Sequence, residues 1–392
     1  MSEIIEKPLN EIGCSFLSGF AFKSSDYTIN GIPLIKIGNI QNRIVTVDKN
    51  GDYVSEELIN DKTIKFLLNK SDILIAMTGQ GSVGRVGKLK LKNKEKAFLN
   101  QRVGKFICDE VGINKDYLYY ILTTDKYQDY LFNTGAGSGQ PNLSPELILQ
   151  TEIPWVEYNE QTAIASILSS LDDKINLLHR QNATLEKMAE TLFRQWFVEE
   201  AKEEWESMPL SKMAVFLNGL ACQKFPPKNE IDKLPVLKIK ELSSGITENS
   251  DWASTDVKSE YIVRNGDVIF AWSASLMVKI WDGQDCILNQ HLFKVTSKDY
   301  PKWFYYLWCK HHLAEFISIA SSHATTMGHI KRGDLDEAKV LIPSQEELEP
   351  MTDIAESLIE KIIENSNQIR TLTALRDTLL PKLMSGEVRV KM

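Results

Sequence analysis

Cysteine is scarce in this chain: five among 392 residues (Cys14, Cys108, Cys222, Cys286, Cys309), with no Cys-x-x-Cys pair. Such scatter argues against a zinc site and against a disulfide framework, and fits a reducing cytoplasm. Long apolar runs are missing as well. No stretch of about 18 apolar residues occurs, so no membrane span is expected. The opening MSEIIEKPLN lacks the basic flank and apolar core of a secretion signal, so a cytoplasmic location is expected. Enzymatic signatures are absent too. There is no G-x-x-x-x-G-K-[ST] phosphate loop. Phe225-Pro-Pro-Lys228 has neither the amide or acid before the prolines nor the aromatic after them that amino-methyltransferases use. The histidines (His179, His291, His311, His312, His323, His329) form no H-E-x-x-H set, so no metal is expected. Lysine and arginine (45) are outnumbered by aspartate and glutamate (53), giving a formal net charge of −8. As a bulk figure this argues mildly against nucleic acid as a partner, so the distribution has to decide. The length suffices for two or three domains, and 43% hydrophobic with 25% charged residues is ordinary for a globular protein.

What the sequence does contain is itself, twice. FLSG (Phe16–Gly19) returns as FLNG (Phe216–Gly219) at an offset of 200. PLIKIGNI (33–40) returns as PVLKIKEL at an offset of 202, and DILIAMTG (72–79) as DVIFAWSA at 195. NQRVGKFI (100–107) returns as NQHLFKVT at an offset of 189, and YLYYIL (117–122) as WFYYLW at 186. The order holds throughout, and the offset drifts as loop insertions would make it drift. The chain is therefore a tandem duplication of a unit near 190 residues. Each copy begins with short β-branched runs separated by turn signals and ends in one long helix. The fold class is α+β, divided as 1–155 and 201–343 for two mixed α/β domains, 156–200 for a central helix, and 344–392 for a C-terminal helix and tail.

Both helices carry a heptad seam. The first runs Ile164, Leu168, Leu171, Ile175, Leu178, Asn182, Leu185, Ala189, Leu192, Trp196. The second runs Met351, Ala355, Leu358, Ile362, Asn365, Ile369, Leu372, Arg376, Leu379, Leu383, with a stop at Ser385-Gly386. Arg376 is a flaw that Leu375 beside it would relieve by widening the apolar face. An antiparallel coiled coil in which paired numbers sum to 547 sets Asn182 against Asn365, Leu178 against Ile369 and Ala189 against Leu358. Asn182 and Asn365 would then fix the register at some cost in stability. The alternative is that each helix packs only on its own domain. Each helix would be roughly 55 Å long at 1.5 Å per residue. Two similar but unequal domains on a stiff spacer suit a target with two unequal sites at fixed spacing, for which duplex DNA is the natural candidate.

The segment TGQGSVGRVG (78–87) has the G-x-G-x-x-G spacing of a dinucleotide loop. Such a loop must open into a helix. Here RVGKLKLKNKEK follows and alternates like a strand, and the second copy keeps none of the three glycines. That leaves a hairpin turn or a DNA-facing loop. Eight basic residues (Arg85, Lys88, Lys90, Lys92, Lys94, Lys96, Arg102, Lys105) against Glu95 alone occupy 85–105, as either phosphate contacts or a solvated face. Positions that differ between copies are candidates to read different bases. The DNA-binding candidates of the first copy, with Arg85 and the lysines as phosphate contacts, are Thr78, Gln80, Ser82, Arg85, Lys88, Lys90, Lys92, Arg102, Ser138, Gln140 and Asn142. In the second they are Trp272, Ser273, Ser275, Lys279, His291, His323, Thr325, Thr326, His329 and Lys331. The shared Asn100-Gln101 and Asn289-Gln290 read first as structural, with DNA backbone contact second. The GSGQPN loop (137–142) doubles as the approach to a helix capped by Ser144 with Pro145 at its first position.

PLIKIGNI, DILIAMTGQGSVGRVG, NQRVGKF, GSGQPNLSPELI, the EQTAIASILSSLDDKI…LEKMAETLFRQWF helix and LRDTLLPKLMSGEVRV together resemble the specificity subunit of type I restriction-modification systems, over essentially the whole chain. The resemblance implies two target recognition domains, a bipartite gapped site in double-stranded DNA, and a non-catalytic chain. It also implies docking to two modification (methyltransferase) subunits that carry S-adenosylmethionine, and to restriction subunits that use ATP and Mg, with no cofactor on this chain. Competing readings are a coiled-coil scaffold without a DNA role and a fused DNA methyltransferase.

Overall fold

The computed structural model describes residues 5–48, 51–92, 95–109, 111–136, 141–322 and 328–390. Contacts divide the chain into two compact units, Met1–Asp173 with Thr373–Met392, and Lys174–Leu372. The division passes through both long helices, so each unit holds a portion of each.

In the first unit the strand Ile73–Ala76 is the centre of a six-stranded sheet, between Val103–Cys108 and Val86–Lys90. All four of its residues are fully buried, because alternate side chains enter different cores. Ile73 and Ile75 pack with Phe106, Tyr117, Ile121, Leu168 and Leu380. Leu74 and Ala76 pack with Leu89 and Val103 of their own sheet and with Leu34 and Leu99 of the opposite layer. A five-stranded sheet lies there, in which Ile32–Ile35 runs parallel to Ala97–Leu99. Ile5–Pro8 pairs with Glu152–Trp155 and joins the two ends of this globular part.

The second unit repeats the plan. Val268–Ala271 lies between Leu292–Thr296 and Met277–Ile280, and Lys233–Leu237 runs parallel to Cys286–Leu288. The registers coincide residue for residue. Leu74 faces Lys105 and Ile269 faces Lys294; Leu34 faces Phe98 and Val236 faces Ile287. These are the offsets of 195, 189 and 202 that the sequence shows. The isolated bridges Phe20↔Asn100 and Leu220↔Asn289 repeat as well. A Cβ on Gly19 would overlap the Asn100 carbonyl, and one on Gly219 the Asn289 carbonyl, which is why FLSG and FLNG both end in glycine. One difference is local: the strands Ile40–Gln41 and Ile44–Thr46 stand where the second unit has the helix Ile239–Ser244.

The long helices are Tyr158–Arg194, 37 residues, continued by a π-turn to Glu199, and Gln345–Met384, 40 residues. Within the second unit the Asn365 Nδ2 donates to Asn182 Oδ1 at 2.9 Å, and Asn182 Nδ2 donates to Ser366 Oγ at 3.0 Å and to the Ile362 carbonyl at 3.2 Å. The antiparallel register read from the heptads is therefore the one observed, and the helices do not pack on their own domains alone. Leu178, Ala189 and Ala355 are buried along the seam. The expected role of Leu375 is corrected: it is 45% exposed. In the first unit Arg376 is accommodated by charge, its Nη1 bonding Asp172 Oδ1 at 2.8 Å. The second helix stops where Ser385-Gly386 predicts. Gly386 is left-handed at φ +71°, and the Val388 amide closes on the Lys382 carbonyl at 3.1 Å.

Candidate nucleic-acid interface

The glycine-rich segment is a tight connection between the antiparallel strands Ile73–Ala76 and Val86–Lys90. The amides of Ser82 and Val83 both donate to the Gly79 carbonyl, and the Gly84 amide returns to that of Ala76. Gly84 must be glycine because a Cβ there would sit 2.9 Å from the Leu131 backbone. Its counterpart in the other copy needs no glycine, yet Ala274, which matches Gly79, keeps the left-handed turn at φ +56°. A strand follows, with no helix N-terminus to receive a pyrophosphate.

In each unit this loop meets a second one. Thr78 bridges Asn142, and Ser273 bridges His329. The Leu143 amide donates to the Met77 carbonyl at 2.8 Å and the Ile330 amide to the Trp272 carbonyl at 3.1 Å. A third segment joins from below: the Met77 amide bonds the Arg102 carbonyl at 2.9 Å, and the Trp272 amide bonds the His291 carbonyl at 3.4 Å. The structure thus gathers Thr78, Arg102 and Asn142 on one platform and Trp272, Ser273, His291 and His329 on its equivalent. The framework beneath is shared. Asn100 and Asn289 are 7% and 6% exposed, and their Oδ1 atoms accept from the amides of Arg102 and His291 at 3.2 and 3.3 Å. Each asparagine thus holds the turn beneath its platform in the same way in both copies.

The side chains above that framework differ. On the first platform Arg102 and Asn142 are exposed, and among the described residues Thr78 Oγ1 finds no hydrogen-bond partner. On the second, Ser273 Oγ and His291 Nδ1 lie 3.1 Å apart. The Trp272 ring stacks on Phe293 at 5.7 Å and borders His291 and His329 at 5.9 and 6.3 Å. Its Nε1 donates to Asn218 Oδ1 at 3.2 Å. Asn218 was not among the sequence candidates, although FLSG against FLNG already differs at that position, Ser18 in one copy and Asn218 in the other.

Other candidates lie apart from the platforms. Gln80 and Ser275 are exposed on the loops, with Ser82 half-buried. Arg85 Nη1 donates to Gln41 Oε1 at 3.3 Å. Lys88 is paired with Asp116 at 2.8 Å and lies over the Tyr119 ring at 4.4 Å. Lys105, from the same basic run, pairs with buried Asp72 at 2.7 Å, and Lys294 repeats this with Asp267 at 2.6 Å. Lys279 spends its ammonium on the carbonyls of Leu242 and Ser243. Lys90, Lys92 and Lys331 are exposed. Ser138, Gln140, His323, Thr325, Thr326 and Lys94 lie outside the described residues.

Comparison with known proteins agrees with this duplicated plan. The family described as "Type I restriction modification DNA specificity domain" matches residues 1–187 and again 202–373. The MjaIX type I restriction enzyme specificity subunit of Methanocaldococcus jannaschii is 27% identical over 398 residues, covering 94% of this chain and 89% of its own. The HindI specificity subunit of Haemophilus influenzae is 19% identical, covering 72% of this chain and 80% of its own. A crystal structure of the type I restriction-modification S subunit from M. genitalium superposes over 99% of this chain and 96% of that one, with a TM-score of 0.60 at 15% identity, which shows a common fold. With the family matched in both copies and the same platform built twice, the chain belongs to the type I restriction-modification DNA specificity family.

Proposed function

We propose that the chain is the DNA-reading subunit of a type I restriction-modification complex, and that each globular part reads one half of a bipartite, gapped site in duplex DNA. One observation carries the reading. The same two-loop platform, Thr78 with Asn142 and Ser273 with His329, stands on the same buried asparagine frame but presents different side chains. A shared frame with unshared donors is what two unequal half-sites require. Arg102 suits the O6 and N7 acceptors of guanine, and Asn142 the N6 and N7 edge of adenine. Exposed lysines such as Lys92 would add phosphate contacts. The paired helices would set the distance between half-sites and offer faces for two modification subunits and for restriction subunits. Methylation with S-adenosylmethionine, and cleavage with ATP and Mg, would belong to those partners, and this chain would hold no cofactor.

The test is long-read mapping of methyladenine in the native host with and without the gene. The expected result is loss of one two-part, gapped motif on deletion and its return on complementation. Persistence of every motif after deletion overturns the proposal and favours a scaffold without a DNA role.

A further inference from the structure

Cys14 and Cys108 lie 94 positions apart in the sequence, yet face each other across the antiparallel strands Cys14–Ser18 and Val103–Cys108. The phase of the ladder can be read from its end. The Asp109 amide donates to the Gly13 carbonyl at 2.8 Å, which makes Gly13 and Asp109 a hydrogen-bonded pair. Pairs alternate along an antiparallel ladder, so Cys14 and Cys108 form a non-hydrogen-bonded pair, the closer kind, with Cα atoms about 4.5 Å apart. Phe16 and Phe106, in the same phase, have ring centroids 5.5 Å apart. A separation of about 4.5 Å lies within the span that a disulfide bridges without backbone movement. Both thiols are free. Cys14 is 5% exposed, whereas Cys108 is half-buried and lines a cavity of about 490 Å³ with Lys105, Lys115 and Asp116.

We propose that Cys14 and Cys108 are a reversible dithiol site, oxidised to a cross-strand disulfide by a peroxide. Their environments divide the labour. The adjacent Cys14 thiol, aided by the Lys115 ammonium, holds the Cys108 thiol below its ordinary value, and the neighbouring Cys108 sulfur together with burial pushes Cys14 up. Cys108 is therefore the thiolate that attacks the peroxide O–O bond, forming the sulfenic acid Cys108–SOH and releasing hydroxide, which takes up the thiol proton as water. Cys14 sulfur then attacks the Cys108 sulfur, and its own proton leaves with the displaced hydroxyl as a second water. Two thiols and one hydrogen peroxide give one disulfide and two waters. The pair is an addition to the fold and not a demand of it: at the offsets of 200 and 189 the second copy has Ala214 and Ser297. That correspondence also supplies a variant expected to fold, Cys14→Ala with Cys108→Ser.

The full-length chain is treated with equimolar hydrogen peroxide at neutral pH, alkylated, digested without reduction and examined by mass spectrometry, with melting followed in parallel. The expected product joins the Cys14 and Cys108 peptides with loss of two hydrogens. It is cleaved by dithiothreitol and accompanied by an upward shift in melting temperature, because closure of the long loop restrains the unfolded chain. With Cys14→Ala the product changes to a dimedone-trapped Cys108 sulfenic acid, and the double variant shows no melting shift. Finding Cys108 as sulfinic acid beside unmodified Cys14 in the wild-type chain overturns the proposal. So does a peroxide-induced shift that survives in the double variant.

Discussion

Arg376 and Asp172 meet at 2.8 Å at the one point where a heptad seam carries a charge. Their side chains are 20% and 24% exposed. Asp172 also accepts from the Tyr120 hydroxyl at 2.8 Å, and Arg376 reaches Asp377 as well. The seam is thus interrupted by a short polar network whose members all have partners, which is the condition under which such an interruption is tolerated.

Removal of one member strands the other. Asp172→Ala leaves a half-buried guanidinium short of a partner and a tyrosine hydroxyl with less to bond, and is expected to cost about 2–3 kcal/mol. Adding Arg376→Leu restores a plain heptad and should recover most of the loss, since hydrophobic replacement of such pairs is commonly neutral or better. Urea unfolding of the single and double variants measures both. A double variant no more stable than Asp172→Ala contradicts the account.

Asn182 and Asn365 face each other across the helix pair, and the expectation is that they serve register more than stability. Replacing both by leucine is expected to stabilise the helix pair by about 1 kcal/mol while loosening its alignment. Disulfide trapping between cysteines placed at Leu185 and Ile362, in chains otherwise free of cysteine, reports the alignment. Near-quantitative trapping with the asparagines present should give way to mixed products once both are leucine.

Lys88 stands in a basic run that reads as a DNA contact, but its ion pair with Asp116 and its place over Tyr119 give it an internal task. Lys88→Ala is expected to lower stability by about 1 kcal/mol and to leave the salt dependence of DNA binding unchanged. Lys92→Ala, at a side chain 89% exposed, is expected to do the reverse, reducing the log–log salt slope by about one. Titrations of the assembled complex at several salt concentrations separate the two.

Much of the architecture was legible because duplication supplied a second reading of most elements. Offsets between copies located equivalent strands, and the heptads located the helix register down to Asn182 against Asn365. Contacts between side chains distant in sequence were not legible. Lys88 and Lys105 looked alike among their basic neighbours, and only packing shows that Asp116 and Asp72 hold them. Arg376 looked like a defect until Asp172 appeared opposite, because a heptad count scores polarity at one position and not complementarity across two. Asn218 was visible in principle, as a difference between copies, but its meaning depends on the Trp272 indole that reaches it.

Acid should weaken the second unit through Glu186. Burial disfavours its charge, but hydrogen bonds from Lys310 at 2.5 Å and from the Tyr306 hydroxyl at 2.8 Å outweigh that and hold its carboxyl below the ordinary value of 4.5. A depressed folded pKa means the contribution is complete above about pH 4.5, the unfolded value, and is lost as pH falls through the folded one. The carboxylate is 41% exposed, so solvent screens the effect and it should be modest. Stability measured from pH 6 down to 3 should fall less steeply in Glu186→Gln than in the wild type; parallel curves would refute the assignment.

The sharpest separation between the two platforms lies at Arg102 and His291, equivalent positions with unequal side chains on the same asparagine frame. Both lend their backbone carbonyls to the adjoining loop, through Met77 and Trp272, so alanine at either position leaves the platform bonded. If each platform reads one half-site, Arg102→Ala should cost about 1–3 kcal/mol of discrimination at one base of one half and none at the other. His291→Ala should relax the opposite half, and the Ser273 hydroxyl, released from its 3.1 Å contact, should broaden the preference there further. Methylome mapping of hosts carrying each variant reads both halves at once. Relaxation of the same half by both substitutions would mean that the two platforms act on one site, and the assignment of one half-site to each globular part would fall.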